Sequence, residues 1–138
     1  MSGNARILQF TEGGAFIRRF GASFTHILGI ACDSTGNVYV QDRGDSKVKV
    51  FAADGTFVRE WGGPGSADGQ FSVASASGVN SISVDKNNQV YACDPGNQRI
   101  QVFNANGNFL RKWGEPGNLP GQFASNDPTG IVANTDGR

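Results

Sequence analysis

The chain has 138 residues, and 12 Lys+Arg balance 12 Asp+Glu, so bulk charge offers no argument for a nucleic-acid or membrane-surface protein. Gly supplies 20 residues, about twice ordinary usage of roughly 7%, alongside 10 Phe, 2 Trp and 2 Tyr, a profile of short strands joined by tight turns rather than of helices or a disordered tail. No apolar run approaches the ~20 residues of a membrane helix, and Met1-Ser2-Gly3-Asn4-Ala5-Arg6 lacks the apolar stretch of a signal peptide, which points towards the cytoplasm.

Taken in chain order, the predicted elements repeat. Arg6-Ile7-Leu8-Gln9-Phe10 and Phe16-Ile17-Arg18-Arg19-Phe20-Gly21 come first, separated by Gly13-Gly14. Four strand-like blocks follow: Gly29–Asp33, Gly36–Asp42, Lys47–Phe51 and Phe57–Gly62. All four return displaced by 52 residues, as Ser81–Asp85, Asn88–Asp94, Arg99–Phe103 and Phe109–Gly114. A last block, Gly130-Ile131-Val132-Ala133-Asn134, resembles the first of the four. The blocks are rich in β-branched and aromatic residues and bounded by turn chemistry, so each reads as a strand. Thr35-Gly36, Asn87-Asn88, Asp54-Gly55 and Asn106-Gly107 are expected to close two-residue hairpin loops. The Gly-, Ser- and Pro-rich stretches after Trp61 and Trp113 read as connections.

The repeating unit is therefore a four-stranded antiparallel meander. Its third strand carries apolar residues on both faces, Val48 and Val50 on one and Phe51 on the other. Such a sheet must be wedged between neighbours, and meanders of this length stacked face to face make a β-propeller. The expectation is an all-β, incomplete propeller: a half blade over 6–21, full blades over 27–62 and 79–114, and the first strand of a further blade over 128–138. The chain then reads as a fragment of a longer propeller or as a half-propeller that assembles, and exposed blade faces and open strand edges favour self-association.

The blocks resemble the NHL repeat. Asp94-Pro95-Gly96-Asn97-Gln98-Arg99-Ile100-Gln101-Val102-Phe103 carries the most specific stretch of the likeness, and Pro128-Thr129-Gly130-Ile131 opens another unit. The 27–62 blade departs at Arg43-Gly44-Asp45-Ser46-Lys47, where Lys stands in place of the family's Arg. The resemblance implies a propeller, commonly of six blades. It also brings members that bind single-stranded RNA and a related metal-dependent lyase with histidines near the inner strand starts; the corresponding positions here are Leu28, Asn80 and Thr129.

The turns between second and third strands hold the candidate binding residues Asp42, Arg43, Lys47, Asp94, Gln98 and Arg99. One reading is a ring of alternating charge around one mouth of the propeller. The other is that each Asp accepts backbone N–H bonds in its turn while Lys47 or Arg99 pairs with it, and faithful recurrence favours this second reading. Arg18, Arg19, Arg59, Arg111 and Lys112 sit on fourth strands, where charge discourages edge-to-edge aggregation. Trp61 and Trp113 read as packing residues, His26 as an isolated histidine, and Cys32 and Cys93 as two small buried residues. No His/Cys/Asp cluster has catalytic-zinc spacing, and no cofactor is expected. The expected function is a non-catalytic binding or scaffold module with a protein or other macromolecular partner. The alternatives are a segment of a propeller hydrolase or lyase with its metal in other blades, and a single-stranded RNA-binding propeller.

Overall fold

The structure is a computed structural model and describes residues 5–73, 82–123 and 131–133. Ten strands run in chain order: β1 Ala5–Phe10, β2 Phe16–Phe24, β3 Ile27–Cys32, β4 Val38–Asp42, β5 Lys47–Phe51, β6 Phe57–Gly62, β7 Ile82–Val84, β8 Val90–Asp94, β9 Arg99–Phe103 and β10 Phe109–Trp113. One 3-10 turn, Pro95–Asn97, lies between β8 and β9. They form an antiparallel pair, β1-β2, and two antiparallel four-stranded meanders, β3-β4-β5-β6 and β7-β8-β9-β10. Registers repeat between the meanders, with Asp42 opposite Lys47 and Asp94 opposite Arg99.

Two differences from the sequence expectation have simple causes. β2 continues past Gly21 to Phe24, because Ala5 pairs with Phe24 across an irregularity in the ladder. The hairpins are three-residue rather than two-residue loops: Gly36 N–H donates to Asp33 O and Asp33 N–H to Asn37 O, and the turns at Asp85 and Asn104 repeat this. A type I turn followed by one left-handed residue closes such a loop, so only one positive φ is needed. Gly36, Asn88 and Gly107 supply it, at φ 90°, 59° and 89°. Side-chain oxygens of Asp33, Asp85 and Asn104 accept N–H bonds across their own turns, which explains why an Asp or Asn opens each of these three loops.

The first four-stranded sheet is apolar on both faces. Val38, Val40 and Phe51 pack with Ile7 and Phe24 of the two-stranded sheet. From the opposite face, Tyr39, Val48 and Val50 pack with Phe71 and with Ile82, Val90, Ala92 and Phe103 of the second meander. Inner strands β3 and β7 lie next to each other. This is blade-on-blade stacking, and the described residues form part of a propeller. The strand expected over 128–138 falls mostly outside the described residues, and the described part, 131–133, carries no strand. Of the cysteines, Cys93 is buried as expected. Cys32 is exposed, because it ends the inner strand β3 where no neighbouring sheet covers it.

Candidate binding surface

The turns between second and third strands lie at one end of each sheet, beside the connector that enters the blade. In the second meander that connector is long. Gly65 N–H donates to Phe71 O, Phe71 N–H to Gly63 O, and Ala67 N–H to the side chain of Gln70, so the segment holds its own shape. Gly65 has φ 150°, and a Cβ there would stand 2.0 Å from Gln70 Oε1, so a side chain would strain the backbone and displace the Gln70 amide. The connector ends by burying Phe71 against Phe103, ring centroids 5.9 Å apart.

The repeated polar residues grip this connector. Asp94 accepts from Ser72 N–H at 3.0 Å and pairs with Arg99 Nε at 2.9 Å. The Arg99 guanidinium then donates to Ser66 O, Ala67 O and Gln70 O at 2.7–2.9 Å. Asn97 donates to Gly65 O, and Gln101 takes both Gln70 O and Gly69 N–H. Arg99 is 5% exposed and Asp94 1%. A buried charge pair is tolerated when its remaining donors and acceptors are satisfied, and here the backbone of the connector satisfies them. Gln98, in the left-handed region at φ 52°, donates through its side chain to Phe123 O, so it holds the following connector.

The first meander is arranged differently. Asp42 is fully buried and accepts from Thr25 N–H, Thr25 Oγ1, His26 N–H and Gly44 N–H. Its cation is Lys49, Nζ at 3.0 Å, and not the predicted Lys47, whose Nζ is 2.7 Å from Glu60. Lys49 also reaches Asp45 at 2.8 Å. The physical reason is the entry segment: only Thr25 and His26 separate β2 from β3, so no run of carbonyls stands over the position aligned with Arg99. Burial pushes the Asp42 carboxyl up, but the bonds from His26 N–H, Lys49, Thr25 N–H and Gly44 N–H outweigh it and hold it at about 2. Burial lowers Lys49, and its contacts with Asp45 and Asp42 more than reverse this. Arg43 is half-buried, and its N–H donates to His26 O.

The six predicted residues are thus brought to one end of the blades, and Asp42, Asp94, Gln98 and Arg99 are engaged within the fold. Sequence reasoning missed Lys49, Asn97 and Gln101, and it read the stretch after Trp61 as a connection without its fixed shape. A signal was present: Gly62-Gly63-Pro64-Gly65 with Gly69-Gln70-Phe71 returns 52 residues later as Gly114-Glu115-Pro116-Gly117 with Gly121-Gln122-Phe123.

Other fourth-strand cations also bridge. Arg59 donates to Ala105 O in the next blade, and Arg111 reaches Gln89 and the Tyr91 hydroxyl. Trp61 and Trp113 pack on rings as expected, Trp61 on Tyr39 and Phe103, Trp113 on Tyr91. His26 is exposed. Leu28 is half-buried on β3, whereas Asn80 and Thr129 lie outside the described residues. Among the described residues no three His, Cys, Asp or Glu side chains gather to hold a metal, and no helix is long and apolar enough to cross a membrane.

Stacked four-stranded meanders whose polar turns clasp the incoming connector define a β-propeller, here a partial one. Within it, residues 77–103 match the NHL repeat family. Solved propellers are similar in fold. A streptogramin B lyase structure matches with a TM-score of 0.66 at 18% identity, over 97% of this chain and 40% of its own. Apo AztD from Citrobacter koseri matches at 0.65 and 18%, over 94% and 33%. A gluconolactonase from Xanthomonas campestris matches at 0.53 and 18%, over 76% and 33%. The chain thus spans 33–40% of the length of these propellers. No curated protein matches it in sequence.

Proposed function

We propose that the chain is a non-catalytic binding module, part of an NHL-type propeller that presents its rim and loop faces to a protein partner. One observation carries this reading. The recurring polar residues of the turns are turned inward to hold connectors, while bulky apolar side chains stand exposed on the outer strands: Phe57 and Val58 on β6, Leu110 and Trp113 on β10. Exposed aromatic and aliphatic anchors beside charged Arg111 and Lys112 fit a protein surface. The guanidinium of Arg99, one of the cations an RNA surface would use beside Arg43 and Lys47, is directed at three carbonyls of its own chain.

The test places a photo-crosslinking residue at Phe57 or Leu110 of the full chain, with exposed Glu12 as the control position. A single predominant protein adduct at the rim positions, absent at Glu12, supports the reading. Stoichiometric retention of calcium or zinc through dialysis, with hydrolysis of a simple lactone, would move the assignment to a propeller hydrolase. Salt-sensitive anisotropy with oligouridylate would move it to RNA.

A further inference from the structure

The hairpins that join third to fourth strands, β5 to β6 and β9 to β10, differ at one aligned position. The first carries Asp54-Gly55-Thr56 and the second Asn106-Gly107-Asn108, the one Asn-Gly pair in the chain. An Asn followed by Gly is chemically unstable, because glycine has no side chain to shield its backbone nitrogen. That nitrogen attacks the Asn side-chain carbonyl, ammonia leaves, and a cyclic imide closes. Water then opens the imide at either carbonyl, giving aspartate or iso-aspartate.

In each seam an Arg on the last strand of one sheet faces the hairpin of the next. Arg59 Nη1 donates to Ala105 O at 2.8 Å, one residue before Asn106. Its counterpart Arg18, on β2, faces Asp54: hydrogen bonds from Thr56 hold the Asp54 carboxyl below its ordinary value, and the charge of Arg18 adds to them. One seam therefore joins a guanidinium to a carboxylate, and the other offers a guanidinium an amide. The loops are otherwise alike. Gly55 N–H donates to Ala52 O and Gly107 N–H to Asn104 O, and the two glycines have φ of 90° and 89°. An aspartate at 106 meets a loop already shaped for one, with Asn108 N–H at the position from which Thr56 N–H donates to Asp54.

We propose that Asn106 is a self-modification site, where attack by the Gly107 nitrogen and hydrolysis of the imide give the second seam the charge pairing of the first, with Arg59 facing the new carboxylate. The fold sets the pace. Gly107 N–H is held by Asn104 O, and Asn104 Oδ1 accepts from Asn106 N–H at 3.0 Å and Asn108 N–H at 2.9 Å. The nucleophile is thus tied into the turn, and reaction waits for the hairpin to open. The iso-aspartyl product adds a carbon to the main chain of a loop seated on Trp61, where even a Cβ on Gly107 would stand 2.6 Å from the indole. One reaction therefore yields a paired seam and a loosened one. The proposal does not depend on the partner binding proposed above, and all its residues lie where sheets of this chain meet.

The full chain is incubated at mildly alkaline pH, and the tryptic peptide 100–111 is followed by mass spectrometry, with isoaspartyl methyltransferase labelling for the iso form. Amide loss is expected at Asn106 before any other Asn of that peptide, measurable in the folded chain and faster in urea. Asn104→Ala should speed the folded chain about tenfold. If circular dichroism shows that this variant is disturbed, the folded-to-unfolded rate ratio carries the gating test. The carboxyl introduced by Asn106→Asp should titrate below the ordinary ~3.9. In the Arg59→Gln background, which keeps a donor for Ala105 O, it should move back towards that value. No detectable loss at Asn106 in the folded chain, equal rates folded and unfolded, or a carboxyl indifferent to Arg59 overturns the proposal.

Discussion

The two full blades are built on one repeat, yet they hold their entry segments with different cations. In the second, Arg99 fans across three carbonyls of a long connector, and Gln101 sits two residues on. In the first, Lys49 reaches into Asp42 from the position aligned with Gln101, and Lys47 turns out to Glu60. The length of chain entering the blade decides which arrangement forms. A planar guanidinium with five donors suits a long connector that offers several carbonyls. A short entry offers two N–H groups to Asp42, and a single ammonium completes its shell. Aligned residues in a repeat protein therefore share a backbone position without sharing a job.

The sharpest way to break this comparison is Arg99→Ala. It strands the buried Asp94 and frees three carbonyls, so urea unfolding should report a loss of about 3 to 5 kcal/mol. A loss under about 1 kcal/mol would mean that Asn97, Gln101 and Phe71 hold the connector without Arg99. Lys49→Met should follow at about 3 kcal/mol, because Asp42 then keeps its N–H and hydroxyl donors but no cation. Gly65→Ala and Gly117→Ala should each cost about 1 to 3 kcal/mol, and by similar amounts, since the two connectors share one conformation. Acid titration sharpens the first-blade half. Asp42 sits at about 2 when folded, below its ordinary 3.8, so the unfolded chain takes up the proton first. Stability is then present above pH ~4 and falls as the pH drops towards about 2, by on the order of 1 kcal/mol after screening. Asp42→Asn should flatten that slope. The smallest effect belongs to Lys47→Ala, which should leave the urea midpoint nearly unchanged, because its pair with Glu60 is exposed to solvent.

The fold was legible because the repeat is dense in information. Val48 and Val50 against Phe51 announce a sheet apolar on both faces, and Asp33, Asp54 and Asn104 mark the hairpins. The paired cation of Asp42 was not legible. Lys47 aligns with Arg99, and only the shortness of the Thr25–His26 link, a feature of another part of the chain, redirects the pairing to Lys49. The fixed shape of the connector was hidden for a related reason. Its Gly, Pro and Ser content reads as loop, and its order comes from backbone bonds and one Gln side chain rather than from apolar periodicity. Cys32 was misjudged because it ends β3, the edge strand of its sheet, whereas Cys93 lies on the interior strand β8.

Phe24 and Phe71 occupy the same station, each set against the last residue of the following third strand, Phe51 at 5.4 Å and Phe103 at 5.9 Å. The stretch of chain leading up to them differs in length by several residues, yet each ring reaches its partner, edge-on at 64° in the first case and tilted at 43° in the second. A ring thus reaches the end of the third strand from an entry segment of either length, so the peptide ahead of it can lengthen or shrink while the contact at the seam of the two sheets is kept.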